Sequence, residues 1–440
     1  MSLEMISLIG IMLGVAVFVY GVFKGHSITF ATLVGAVVVA LCSRMSILEA
    51  LTKTYMGKLG GTMTSFMLLF LISALFAKMM GDVGAAQSLA YKMARLARKF
   101  PRHEKFAACL CIGLLTCGFI YGGISVFVVI FTLIYIGKEL FEELDVPWFM
   151  FTSVGMGTGT FATGMLPGSP QLTNLIPMNY FGTTASAAPV LGIICTLASF
   201  AFSCWWIWFQ CSRCEKRGIG FGPSGNEIKK GWVDQERVEE QPLWKCLLPS
   251  VIMLVCLNLL KLNASLALAI GCGVIAILFG PKRLHMKENM KVATSNATNT
   301  AVALASAAGF GAVVSASPGF SYILSGLEAI PGPAAFQVIV AINIAAGFSA
   351  SSSTGLNLAL DSLAPHFATL GIPSAALHRL CAISALGLDT LPHSSALANT
   401  YTLCKLSYKD AYINHFVLTV VNNLIVAALC ALLITIGITF

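Results

Sequence analysis

The chain has 440 residues, of which 57 % are hydrophobic and 10 % are charged, and its mean hydropathy is +0.83. Ordinary soluble domains carry about 25 % charged residues. The composition therefore excludes a soluble enzyme, a soluble nucleic-acid-binding protein and a disordered chain. The net charge of +8 is informative through its position along the chain more than through its size.

Long apolar blocks begin at the amino terminus and recur to the end of the chain, for example at 3–23, 31–42, 62–76 and 416–440. An α-helix needs about 20 apolar residues to cross a bilayer. The first block carries Glu4 near its start and has no basic segment before it, so we interpret it as a retained membrane helix and not as a cleaved signal peptide. The length predicts an all-α, multi-pass membrane protein of about 11–13 transmembrane helices.

A basic run at 91–105 is the clearest topological marker. It contains Lys92, Arg95, Arg98, Lys99, Arg102 and Lys105. Because Lys and Arg are retained on the inner side of a membrane, this run predicts the cytoplasmic side of a bacterial inner membrane. We assign it no role in binding nucleic acid, and the expected surrounding partner of the chain is the lipid bilayer.

A polar segment at 211–245 separates a first transmembrane repeat, 1–210, from a second, 246–440. The segment LPGSPQLTN (166–174) aligns with LPHSSALAN (391–399), and Gly118-Phe119 aligns with Gly347-Phe348. The connector at 325–333, which corresponds to the basic run, has no Lys or Arg. This charge difference predicts that the two repeats cross the membrane in opposite senses, as in many secondary transporters.

Four clusters of Gly, Pro and Ser interrupt the apolar blocks, at 118–125, 164–174, 347–355 and 388–399. Within a membrane such breaks are tolerated where they line a protein or water cavity, and the helix N-termini they create attract anions. Their neutral donors suit a small organic carboxylate better than a metal ion. We therefore predict no metal site, and a substrate site that comprises Tyr121, Ser125, Pro167, Gly168, Ser169, Asn174, Ser351, Ser352, Ser353, Thr354, His393, Ser394 and Asn399.

Asp389 and His393 are ionisable residues inside the fourth break. Four residues apart, they could share a helical face and carry a coupling proton; a hydrogen-bonded pair that only fixes the break is an equal alternative. The charged groups nearer block ends are expected to face water: Asp361, His366, His378 and Arg379. Lys78 and Asp82 are expected to form an ion pair at a helix end.

The chain resembles the gluconate permease family of proton-coupled organic-acid symporters, within a superfamily of ion-coupled carriers. The resemblance lies in GDVGAAQSLA (81–90), IYGGISVFVV (120–129), LPGSPQLTNLIPMNYFGTT (166–184) and LDTLPHSSALANTYTLCKLSYKD (388–410). Gluconate carriers of the family have Glu at the position of Gly122 and Asn-Asp at that of His393-Ser394. The chain is more similar to a divergent branch associated with short hydroxy acids such as 3-hydroxybutyrate.

This resemblance implies proton symport of a small organic acid anion with no bound cofactor, and it allows a homodimer. Sodium-coupled carboxylate transport of the citrate type is an alternative, because neutral oxygens at unwound helices can bind Na⁺. An ion channel is a second alternative from another class, although the sequence has no evident ring of charges or carbonyl filter. A membrane enzyme is not expected, because HExxH, GxSxG and a His cluster are absent from the sequence.

Overall fold

A computed structural model describes residues 2–100, 102–121, 126–169, 171–230, 240–258, 260, 262–327 and 332–440. All regular secondary structure in these residues is helical. The first half contains α1 (Leu3–Phe23), α2 (Ile28–Cys42), α3 (Ile47–Asp82), α4 (Ala85–Ala97), α5 (Glu104–Tyr121), α6 (Val126–Glu143), α7 (Phe149–Thr160), α8 (Leu172–Phe181) and α9 (Pro189–Lys216). The second half contains α11 (Leu243–Asn258), α12 (Ala264–Phe279), α13 (Met286–Ser315), α14 (Pro318–Leu327), α15 (Ala334–Ser349), α16 (Ser352–Ala368), α17 (Ser374–Ser384), α18 (Ser395–Cys404) and α19 (Tyr408–Thr435).

The segment between the halves is partly helical. Helix α9 runs six residues into the predicted polar loop, and the short helix α10 (Asn226–Lys230) follows it. Shorter irregular helices complete the chain: π-helical turns lie at Ala50–Tyr55, Phe161–Met165 and Val417–Val421, and a 3-10 turn lies at Pro281–Arg283.

The described residues form a polytopic membrane protein. Six of their helices are long and apolar enough to span a bilayer, namely α1, α3, α5, α9, α13 and α19, and shorter apolar helices accompany them. Helices α7, α8, α17 and α18 have only 10–12 residues each. At 1.5 Å per residue each covers about half of the roughly 30 Å hydrocarbon core. Helices α8, α17 and α18 are therefore each too short to cross a bilayer alone, and α7 continues through the π-helical turn Phe161–Met165 before its break.

Two pairs of helices at corresponding positions of the halves pack antiparallel, namely α3 with α13 and α9 with α19. Leu191 N, at the start of α9, donates to Phe440 O beyond the end of α19 (3.1 Å). Asp82, at the end of α3, accepts a hydrogen bond from Asn289 Nδ2 near the start of α13 (2.5 Å). Antiparallel packing of equivalent helices is the arrangement expected of inverted repeats.

Each half supplies a short helix to the other. Helix α8 of the first half packs against α16 and α17 of the second, and α18 of the second half packs against α6 and α7 of the first. Lys78 and Asp82 form the expected ion pair at the end of α3 (4.0 Å). Because α8 and α18 each pack on the opposite half, the α7–α8 and α17–α18 breaks both have neighbours from both halves.

One end of the molecule carries the basic run, and we call it the basic face, marked by Lys92, Lys105, Asp145, Glu240 and Cys404. Lys92 Nζ donates to Gln241 O (2.8 Å) and, with Arg95, binds Glu240; these hydrogen bonds lower the pKa of the Glu240 carboxyl. Trp148 Nε1 donates to Cys404 O (2.9 Å), which brings the α18–α19 turn to the same face. Glu240 and Gln241, near the end of the segment that joins the halves, therefore lie on this face.

We predict that a protease site inserted between Gly218 and Phe221 is cut from the cytoplasmic side, because this loop shares a face with the basic run. The same site inserted at Gly371 should be cut from the opposite side, since α17 begins next to the start of α9. Cleavage of inverted and right-side-out vesicles measures both. Cleavage of the two insertions from one side would contradict the topology.

Candidate functional site

In the first half, the end of α5 meets the α7–α8 break. The predicted breaks at 118–125 and 164–174 are together called the first break from here on. The Tyr121 hydroxyl donates to Pro167 O (3.0 Å), and Gln171 Nε2 donates to Ile120 O (2.9 Å). Ser125, which the sequence also assigns to the site, lies outside the described residues. The two predicted breaks of this half are thus in direct contact.

The predicted polar residues of the first break are paired within the protein. Ser169 Oγ donates to Ala162 O, and Asn174 Nδ2 donates to Ser169 O (2.9 Å) and Ala185 O (2.8 Å). Gly168 has φ +79°, a conformation that favours glycine, and its N–H also donates to Ala185 O (2.9 Å). These bonds close the break onto the α8–α9 connection.

Arg379 of α17 holds the first break from the second half. Its side chain is fully buried, although the sequence predicted that it faces water, so that prediction is wrong. The guanidinium donates to Gly164 O (3.1 Å), Asn174 Oδ1 (2.8 Å), Ala185 O (3.4 Å) and Ala187 O (2.7 and 3.2 Å). All five N–H groups therefore have acceptors.

His378 is also fully buried, contrary to the prediction from sequence. Its ring nitrogens contact Thr183 Oγ1 (2.6 Å) and Asn174 Oδ1 (3.2 Å). The physical reason for both corrections is the same: the α8–α9 connection covers the start of α17. Local hydropathy indicates how apolar a segment is, but not which distant segment covers it.

In the second half, the α15–α16 break meets the α17–α18 break. The predicted breaks at 347–355 and 388–399 are together called the second break. His393 Nε2 donates to Gly347 O (2.8 Å), an assignment that makes Nδ1 the hydrogen-bond acceptor of the ring. The Asp389 carboxylate lies beside the Ser352 hydroxyl at the start of α16. Residues 385–394 are turns, so Asp389 and His393 do not share a helical face, and that premise of the sequence analysis is wrong.

Ser351 caps α16: its hydroxyl accepts from Thr354 N (3.3 Å) and lies 3.5 Å from Ser353 Oγ. Ser352 and Ser353 occupy the first turn of the same helix. The α15–α16 break therefore has the hydroxyl-rich lining that the sequence predicts, with its helix N-terminus facing Asp389.

Buried polar atoms of the second break lack partners within the described protein. They are Asp389 Oδ1, His393 Nδ1, Ser394 Oγ, and both Nδ2 and Oδ1 of Asn399. His393, Ser394 and Asn399 are at most 2 % exposed. Since an unsatisfied buried polar group costs about 1–3 kcal/mol, native proteins retain few of them without a reason. The cluster indicates a place where a polar ligand can bind.

Two amides of the second break were missed by the sequence analysis. Asn343 Oδ1 and Asn423 Oδ1 are buried without partners, while their nitrogens donate to Ile339 O (2.9 Å) and Leu386 O (2.7 Å). Their sequence signal is an amide inside an apolar block, as in AINIA and VVNNL. Aromatic rings close another side of the break, where Phe18 and Phe310 lie edge-on to His393 at 6.4 and 6.2 Å.

The hydrogen bonds thus divide the predicted residues into two groups. The first break contains Tyr121, Pro167, Gly168, Ser169 and Asn174. The second break contains Ser351–Thr354, Asp389, His393, Ser394 and Asn399. The polar side chains of the first group have hydrogen-bond partners within the protein. The second group has donors and acceptors without partners among the described residues. A single cradle built from both groups stays a prediction. Within the described residues, no group of three or more His, Cys, Asp or Glu side chains could hold a metal ion.

No protein-family profile matches the chain. The chain is 25 % identical over 472 aligned residues to the uncharacterized transporter YxjC of Bacillus subtilis (strain 168), and the alignment covers 97 % of this chain and 98 % of that protein. The similarity supports a transport function for this multi-pass membrane protein.

We predict that Arg379→Met destabilises the folded protein by about 3 kcal/mol or more, because it leaves several buried carbonyl groups unpaired. Thermal unfolding in detergent measures the effect. Arg217→Met, at an exposed position at the end of α9, is the control and should be neutral. Equal unfolding temperatures for the two variants would contradict the role of Arg379.

Proposed function

We propose that the chain is a secondary active transporter that imports a small organic carboxylate together with protons across the bacterial inner membrane. The substrate class comprises hydroxy acids such as 3-hydroxybutyrate or gluconate. The observation that supports the proposal most strongly is the cluster of unpaired, buried polar atoms at the second break. Similarity to a transporter along nearly the whole chain supports the general function.

The second break has the chemistry to bind an anion in a dry environment. Ser394 is the N-cap residue of α18, and Ser351 is the N-cap residue of α16. Helix N-termini carry partial positive charge and free N–H groups, which favour a carboxylate. In this proposal Ser394 Oγ and Asn399 Nδ2 donate to the carboxylate, and Asn399 Oδ1 accepts from a substrate hydroxyl.

His393 and Asp389 provide the proton-coupling groups. His393 Nε2 is fixed as a donor by Gly347 O, so a proton can be gained at Nδ1. Protonated His393 then donates to the substrate carboxylate, and this hydrogen bond is stronger because it joins opposite charges. Proton binding and anion binding stabilise each other, which is the thermodynamic requirement for symport.

The first break has a supporting role in this account. Its polar groups are already bonded to one another and to Arg379, so a ligand could reach them only by breaking those bonds. It fixes the membrane depth at which α8 begins, and α8 in turn packs on α16 and α17 next to the second break. Tyr121, Ser169 and Asn174 then act on transport through the position of those helices.

The direct test is uptake into proteoliposomes loaded with a pH-sensitive dye. Gluconate, 3-hydroxybutyrate, lactate, glycerate and citrate are supplied in turn, first without sodium and then with it. We expect one hydroxy acid to acidify the interior without sodium. Empty liposomes correct for passive entry of the neutral acids.

Substrate accumulation that requires sodium would support sodium coupling in place of proton coupling. The coupling site would then be assigned to the hydroxyls of Ser351–Thr354. Acid flux that does not saturate as the acid concentration rises, and that only follows the acid's own gradient, would favour a channel. Absence of flux for all five acids, with the protein shown to be folded, would contradict the substrate class.

We predict that Asn399→Ala raises KM about tenfold with little change in folding, since its amide has no partner within the described protein to lose. Asn174→Ala is the matched control. Its amide makes hydrogen bonds at both ends, so this variant should lose thermal stability instead. Kinetics of uptake and thermal unfolding are measured on both. An Asn174 variant with raised KM and unchanged stability would reverse the roles assigned to the two breaks.

A further inference from the structure

A second set of buried polar side chains lies between the second break and the basic face. It consists of Tyr401 of α18 and of Tyr408, Tyr412 and His415 of α19, and we call it the Tyr–His cluster. The ring centroids of Tyr401 and Tyr408 are 4.8 Å apart, and those of Tyr401 and His415 are 5.7 Å apart. None of these residues belongs to the substrate site proposed above.

His415 is fully buried, and neither ring nitrogen has a partner within the described protein. A neutral imidazole has one donor and one acceptor, so both of its hydrogen-bonding groups are unsatisfied. The hydroxyls of Tyr401 and Tyr408 and Oδ1 of Asn414 are buried and unpaired as well. These five buried atoms on neighbouring residues are the kind of group that buried water satisfies, since each water needs two to four polar partners.

The Tyr–His cluster is bonded to the second break at Thr390, the residue after Asp389. Thr390 Oγ1 lies 2.6 Å from Thr419 Oγ1, which donates to His415 O (2.8 Å). The Tyr412 hydroxyl reaches Thr390 O (3.5 Å). One end of the cluster is therefore bonded to the residue that follows Asp389, the residue that the proposed function assigns to proton coupling.

The other end reaches the basic face. Cys404, next to Tyr401 in the cluster, accepts from Trp148 at that face, and the following residues Lys405, Lys409 and Asp410 are exposed. Helices α7 and α1 pack against the first turns of α19. Helix α7 has no titratable residue, and the ionisable groups of α1 are Glu4, at its opposite end, and the exposed Tyr20. His415 is thus a buried imidazole between Asp389 and the basic face, and an imidazole can accept a proton at one nitrogen and release one from the other.

We propose that the Tyr–His cluster is a hydrated proton path that connects Asp389 with the basic face. A water molecule that has received a proton from Asp389 passes a proton to the unprotonated ring nitrogen of His415, and the other nitrogen releases its proton to a water near Tyr408. The ring is then neutral in the opposite tautomer, and rotation of the ring restores the starting arrangement. The inference rests on the proposed proton symport and assigns the route by which the proton leaves.

The experiment separates proton movement from substrate movement. Reconstituted wild-type protein, His415→Ala and Tyr408→Phe are compared for substrate-driven acidification and for exchange of labelled against unlabelled substrate, which needs no net proton release. We expect His415→Ala to lower acidification at least about tenfold, to leave exchange unchanged, and to recover acidification when imidazole is added. Tyr408→Phe should give a smaller loss of the same kind, and His103→Ala, an exposed histidine at the basic face, should give none.

The outcomes distinguish this inference from the proposed function. If wild-type protein moves substrate without protons, the proposed coupling fails and the path fails with it. If wild-type protein couples and both cluster variants couple equally well, the path alone is overturned. A parallel loss of exchange and acidification in Tyr408→Phe, which keeps the aromatic ring, would identify the cluster as structural and also overturn the path.

Discussion

Main-chain groups exposed inside a bilayer must find hydrogen-bond partners in the protein, and this constraint governs both breaks of the structure. At the first break the partners are Asn174, the α8–α9 connection and the five donors of Arg379. At the second break, several side chains have no hydrogen-bond partner among the residues that the structure describes. The two breaks thus differ: the first is closed by hydrogen bonds, and the second keeps unpaired polar side chains within the described protein, which is why the substrate is proposed to bind there.

The packing of the two halves links the two breaks. Arg379 lies midway along α17, which leads directly into the second break, so one helix is bonded to the first half and ends beside the proposed site. Helix α8 is held between α16 and α17. Displacement of either half would therefore change the geometry around Asp389 and His393, which is the coupling that alternating access requires.

Much of this architecture can be predicted from the sequence because the signals that mark it are local. Proline and glycine inside apolar blocks mark the breaks at 166–171 and 388–394, and the repeated LP…N motif pairs them. The buried positions of His378 and Arg379 could not be predicted, because a connection almost 200 residues away covers them. The unequal saturation of the two breaks is likewise a tertiary property: Asn174 and Asn399 occupy equivalent motif positions but have different surroundings.

The central claim is that the second break binds the substrate and the first does not. A cryo-electron microscopy map of the protein in lipid nanodiscs, with the transported acid at saturating concentration, tests it directly. The account predicts ligand density within hydrogen-bond distance of His393 Nδ1, Ser394 Oγ and the Asn399 amide, with the Arg379 contacts unchanged. Density bonded to Arg379 and Asn174, with the second break unoccupied, would contradict it.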